Sequence, residues 1–193
     1  MFLTEPPEDG GVRALYDGNL ADHGYVSNFT RAWAWRPDVL ESFLSTRAIT
    51  ADTLGLTERE FAVLVTATAS QRGDSYCSLA WGTRLAERAS DEVAAAVVAG
   101  TSSDGLTERE RTLASWARAC VHDPNGTTQS DVDGLRAVGL SDRDIFGLTA
   151  FVAFRLAFST INDALGARPD RQVHDSTPAS VREAVRYGRS ADD

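Results

Sequence analysis

Lysine is missing from this sequence of 193 residues, and all 19 basic side chains are arginine. That absence excludes a Schiff-base nucleophile, an anchor for pyridoxal phosphate and the phosphate-gripping lysine of a P-loop. Cysteine is nearly absent, with only Cys77 and Cys120, and histidine is limited to His23, His122 and His174. A zinc site needs three or four such ligands at short spacing, and these are scattered, so no metal and no cofactor is expected. Positive charge is scarce as well. A formal net charge of −9 disfavours nucleic acid and anionic membrane surfaces as partners. No apolar run approaches the roughly 18 to 20 residues of a membrane span. The opening MFLTEPPEDGG has no basic segment followed by an apolar one, so it does not read as a secretory signal, and the cytoplasm is the expected address. Runs of alternating β-branched residues with hairpin turns are lacking too, which leaves an all-α protein.

What is present points the same way. Apolar residues at 42% and charged residues at 24% suit a globular chain, and the length favours one domain over residues 1–193. A helix opening repeats: Gly55-Leu56-Thr57-Glu58-Arg59-Glu60 recurs unchanged at Gly105-Leu106-Thr107-Glu108-Arg109-Glu110. A looser copy is Gly139-Leu140-Ser141-Asp142-Arg143-Asp144. In each, a hydroxyl residue followed three positions later by an acid predicts a capping box, with the leucine as a hydrophobic staple.

These starts and the apolar spacing predict helices over 12–21, 37–46, 57–72, 74–89, 90–100, 106–122, 127–138 and 145–165, with a tail helix over 177–189. They group as an N-terminal helical segment (12–47), a core (48–168) and the tail. The 145–165 run is apolar on nearly every side and is expected to be the central buried helix.

The most informative window runs from Leu56 to Gly82: a capped helix, a tight turn, then Asp74-Ser75-Tyr76-Cys77-Ser78-Leu79-Ala80-Trp81-Gly82. Over roughly residues 16–170 the chain resembles the AhpD-like alkylhydroperoxidase and carboxymuconolactone decarboxylase family, in its peroxidase-related branch. The similarity includes Gly24 to Asn28 and the stretch ending Asn162-Asp163-Ala164-Leu165-Gly166. It implies an AhpD-like helical bundle, an oligomer of identical chains, and a site at the start of the helix carrying the family's C-x-x-C. Redox members pair that dithiol with a histidine four residues after the second cysteine and a glutamate twelve before the first. Here those positions hold Ala62, Asp74, Cys77 and Trp81, so the motif is degenerate and only the second cysteine remains. Glu60 lies two residues from the glutamate position, about 200° around the helix, and does not replace it.

The candidate catalytic residues are therefore Cys77 and Asp74. With Asp74 as N-cap, Cys77 falls at N3, where backbone N–H groups favour a thiolate and the Asp74 carboxylate opposes one. An inert buried cysteine beside a plain helix cap is the competing reading. Candidate substrate-binding residues are Tyr76 and Trp81 beside them, and Arg155 and Asn162, which with Ser159 form a polar stripe within about 60° on an apolar helix. A buried arginine there is expected to pair with a core acid, to pair across a subunit interface, or to line a cavity. Three functions stay open. The first is a small-molecule site with non-redox acid–base chemistry, the second a weak single-cysteine alkylhydroperoxidase, and the third a silent binding or assembly subunit.

Overall fold

Four helices begin with the same device. Thr57, Thr107, Thr128 and Ser141 each accept from the backbone N–H three residues on, while Glu60, Glu110, Asp131 and Asp144 reach back to the cap residue's own N–H. Each box satisfies two backbone donors that a helix start otherwise leaves open. The computed structural model describes residues 1–191. Its helices are α1 (Gly10–His23), α2 (Asn28–Trp33), α3 (Pro37–Asp52), α4 (Glu58–Arg72), α5 (Ser75–Arg88), α6 (Asp91–Ala99), α7 (Glu108–His122), α8 (Gln129–Ala137), α9 (Asp142–Ala164), α10 (Arg171–Ser176) and α11 (Ala179–Ala184). A 3₁₀ turn, Pro124–Gly126, links α7 to α8. No strand occurs among the described residues. The all-α reading stands.

The repeated openings also bind each other. Arg59 of the first copy pairs with Glu110 of the second at 2.7 Å, and Arg109 of the second pairs with Glu60 of the first at 2.8 Å. This reciprocal clasp fixes α4 beside α7. Glu60, in the first turn of α4, is thus committed to Thr57 and Arg109, whereas Cys77 lies on α5 beyond the opposite end of α4.

Three expectations need correction. The most enclosed helix is α4, whose residues from Ala62 to Ser70 are all buried. Its small Ala, Thr and Ser side chains let α5, α6, α7 and α9 approach from every side. By contrast α9 shows an outer face, with Phe146 76% exposed and Ala153 and Ala157 open. By length and composition alone α9 is long and apolar enough to cross a membrane. Its inner face, Leu148, Phe151 and Val152, is buried in the larger core.

The tail helix expected over 177–189 is only α11, preceded by the separate short α10. Pro178 caps α11, and the chain leaves helical geometry at Val185 to cross the start of α5. Gly188, at φ +73°, makes that crossing; a Cβ there would meet Ser75 Oγ at 2.6 Å and the Gly73 carbonyl at 2.9 Å. Finally, α3 runs on to Asp52, past the expected end near residue 46 and across the proposed boundary at 47, because no breaker intervenes before Gly55.

Candidate functional site

The site forms where α5 begins against the inner stripe of α9. Gly73, at φ +78°, ends α4 in a left-handed turn, and Asp74 then caps α5. One oxygen of Asp74, Oδ1, accepts from the Cys77 backbone N–H at 2.8 Å, so Cys77 is the N3 residue. The other, Oδ2, accepts from Ser159 Oγ on α9 at 2.5 Å. One helical turn back along α9, Arg155 Nη2 donates to Cys77 Sγ at 3.1 Å. Asp74, Cys77, Arg155 and Ser159 are all buried.

The sulfur thus has a cation on one side and a carboxylate near the other. Burial pushes the Cys77 thiol well above its ordinary range, the Asp74 charge adds to that rise, and Arg155 opposes both. At rest the proton stays on sulfur. The core acid expected as the partner of Arg155 is absent: among the described residues this guanidinium has no ion pair, and its hydrogen bond goes to the thiol.

Of the remaining candidates, Trp81 stands one turn beyond Cys77 on the same face. It packs edge-on against Phe61 at 5.4 Å, with the Arg155 guanidinium 5.9 Å from its centroid. Trp81 and Phe61 line a groove of about 370 Å³ with Leu56, Arg84 and Arg88; Cys77 does not line it. Tyr76 turns elsewhere. Its hydroxyl donates to Asp170 Oδ2, its ring meets Phe29, and it borders a separate groove of about 300 Å³ with Tyr25 and His23. Asn162 accepts from Trp33 Nε1 at 2.8 Å through Oδ1, while its buried Nδ2 has no partner among the described residues. Trp33 stacks on Phe158 at 5.6 Å, filling core, whereas Trp35 is 41% exposed.

Two further arginines belong to this neighbourhood. Arg47 on α3 lies 5.7 Å from the Phe158 centroid, and Arg84 on α5 lies 4.4 Å from that of Trp81. Burial, then repulsion from Arg155, pushes Arg47 down to about 10, and Arg84 is lowered by burial and by Arg88 and Arg155. Arg84 was legible in outline, because it falls seven residues after Cys77 on the same helical face. Nothing local in α3 marks Arg47. The second thiol, Cys120, packs against the larger core while Cys77 sits in the smaller one, and both are free.

This is the AhpD-like helical fold. An AhpD-core, peroxidase-related protein from Ralstonia eutropha JMP134 matches with TM-score 0.73 and 23% identity, covering 97% of each chain. A peroxidase-related protein from Silicibacter sp. TM1040 matches at TM-score 0.75 and 19% identity, over 90% of this chain and 93% of that one. The debrominase Bmp8, solved as a cysteine-to-alanine variant with 2,3,4-tribromopyrrole, matches at TM-score 0.69 and 17% identity, over 96% and 97%. No family sequence model matches the chain, and no curated protein matches it significantly.

Proposed function

We propose that this protein holds a small molecule beside one thiol, Cys77, and acts on it by acid–base chemistry in which Asp74 accepts the proton, with no dithiol relay. The observation that carries the reading is the setting of Cys77 Sγ, 3.1 Å from Arg155 Nη2 and on the helical turn capped by Asp74. Moving the proton from sulfur to Asp74 shifts one negative charge without creating another. That charge arrives where Arg155 already donates, so the transfer avoids the large cost of making a new buried ion. Ser159 holds the Asp74 carboxylate in place throughout. The debrominase neighbour supports the small-molecule part of the reading, since its fold accommodates 2,3,4-tribromopyrrole. The chain is further proposed to work as a cytoplasmic homo-oligomer.

A second reading draws support from the peroxidase-related neighbours. In it, the Cys77 thiolate attacks a hydroperoxide, giving a sulfenic acid and an alcohol, and an external thiol restores the cysteine. A mass-mapped reaction separates the readings. Reduced protein is treated with a neutral alkylating agent in one arm and a hydroperoxide in the other. The proposal expects alkylation at Cys77, no turnover of peroxide and no Cys77–Cys120 bridge. Repeated peroxide turnover through Cys77 favours the second reading. A bridge that forms and is reduced during turnover rejects the single-thiol view, and a Cys77 inert to every agent leaves a silent subunit.

A further inference from the structure

The tail reverses the charge of the chain. Residues 168–189 carry five arginines against three acids, in a protein whose formal net charge is −9. Four of those arginines, Arg171, Arg182, Arg186 and Arg189, line one cavity of about 550 Å³ together with His174. The single acid on its wall among the described residues, Asp175, lies 3.6 Å from Arg171 and 3.1 Å from His174. Glu183 borders a neighbouring groove and does not line this one. Neither Asp74 nor Cys77 reaches the cavity, which meets the thiol site only through α5, by way of Ser75 and Leu79.

Three of the four guanidinium groups are positioned by neutral partners. Arg182 Nη1 donates to the Thr177 carbonyl, Arg186 Nε to the Glu183 carbonyl at 3.2 Å, and Arg189 Nη2 to the Asp163 carbonyl at 3.3 Å. The Phe2 ring lies 4.8 Å from the Arg189 guanidinium. Carbonyls and a ring face orient a cation without cancelling its charge. None of these three has an ion pair among the described residues. The cavity is larger than a bare inorganic ion needs, and its size suits a small molecule. Leu79, Val185 and Tyr187 add apolar surface beside the arginines. The negative net charge of the chain opposes a large polyanion, whereas a small anion can lie within this wall.

We propose that this cavity binds a small phosphomonoester, its phosphate on the arginine wall and its organic part against Leu79, Val185 and Tyr187. A phosphate dianion offers the guanidinium forks several oxygens to share, which a single carboxylate does not. The bound molecule would tie α10 to the 185–191 crossing over the start of α5. The proposal goes beyond the reading of Cys77 and stands whether or not that thiol is reactive.

Isothermal titration with phenyl phosphate tests it, beside phenol and chloride at matched ionic strength. Phenyl phosphate should bind the wild type, while phenol and chloride should not. Its Kd should rise by about tenfold or more in the Arg171→Gln, Arg186→Gln variant, whose two changes fall on exposed side chains. An Arg13→Gln, Arg36→Gln variant removes the same charge from exposed positions outside the cavity, and its Kd should stay within about twofold of the wild type. Bound ligand should also slow amide exchange over residues 185–191. No binding, equal binding of phenol, an equal loss in both double variants, or unchanged exchange at saturation overturns the proposal. A second arm uses phosphatidylcholine vesicles containing phosphatidic acid, whose headgroup presents the same phosphate. Sedimentation with those vesicles, without binding of phenyl phosphate, would assign the arginines to a membrane surface and also overturn it.

Discussion

Arg155 Nη2 donates to Cys77 Sγ at 3.1 Å, and that sulfur, in place of a carboxylate, is the arginine's hydrogen-bonded partner. A neutral replacement therefore has opposite effects on chemistry and on stability. In Arg155→Met, Cys77 loses the hydrogen-bonded cation that pulls its thiol downward, and alkylation at mildly alkaline pH should slow by about tenfold, the equivalent of one pKa unit. The fold, relieved of a buried unmatched charge, should lose little or no stability in urea unfolding. A variant that unfolds several kcal/mol more easily would show that the guanidinium has a structural partner.

The tail crossing depends on Gly188. Alanine there must adopt φ +73° and place a Cβ 2.6 Å from Ser75 Oγ. Gly188→Ala should cost about 1–3 kcal/mol locally. The segment that donates Arg189 N–H to Ser75 at 3.0 Å, and Tyr187 hydroxyl to Ser78 at 3.0 Å, should then exchange its amides faster. Unchanged exchange over residues 185–191 would contradict this.

Asp163, next to Asn162, provides a pH signature. Burial first, then the like charge of Asp74, push its carboxyl up to about 6, with Arg72 and Arg189 pulling the other way. The folded state holds this proton more tightly than the unfolded chain, whose carboxyl titrates near its ordinary 3.8. Stability should therefore fall as pH rises from about 4 through 6, and level off above. Solvent screening of this half-buried group trims the effect to about 1 kcal/mol. Asp163→Asn should remove that slope and be the more stable form at pH about 7.5, as read from urea midpoints over the same range.

Phe146, 76% exposed on the outer face of α9, and Ile49, 68% exposed on α3, are large apolar side chains open to solvent on two helices that pack together. Burying that face against a second copy would remove both from water. Sedimentation at micromolar concentration should show a dimer or larger assembly, and Phe146→Asp should shift it toward the 20.8 kDa chain. A wild-type protein that sediments as that chain alone contradicts the proposed assembly.

The local devices were the legible part of the fold. Each capping box sits within four residues, so Thr57, Thr107 and Ser141 announced their helices. The same holds for Asp74 and Cys77, three residues apart at the α5 start, and for the α9 stripe of Arg155, Ser159 and Asn162, set by one helical period. The short helices α2 and α10, six residues each, carry too little periodicity to stand out. Long-range partners were hidden for a different reason. The Arg59–Glu110 and Arg109–Glu60 clasp spans about fifty residues, and Arg47 meets the site only because α3 packs on α9. The exposed face of α9 was misread because apolar composition alone does not say which side a neighbour covers.

The most direct test of the central claim is the ionisation of Cys77 in the Cys120→Ser protein, followed by ultraviolet absorbance of the thiolate, with and without Asp74→Asn. Asparagine retains the helix cap and removes the charge that opposes the thiolate. If Asp74 is the group that shares the proton with Cys77, the thiol's pKa should drop by about one unit or more in the variant. An unchanged or higher pKa would mean that Asp74 is only a helix cap and that the proposed proton transfer does not exist.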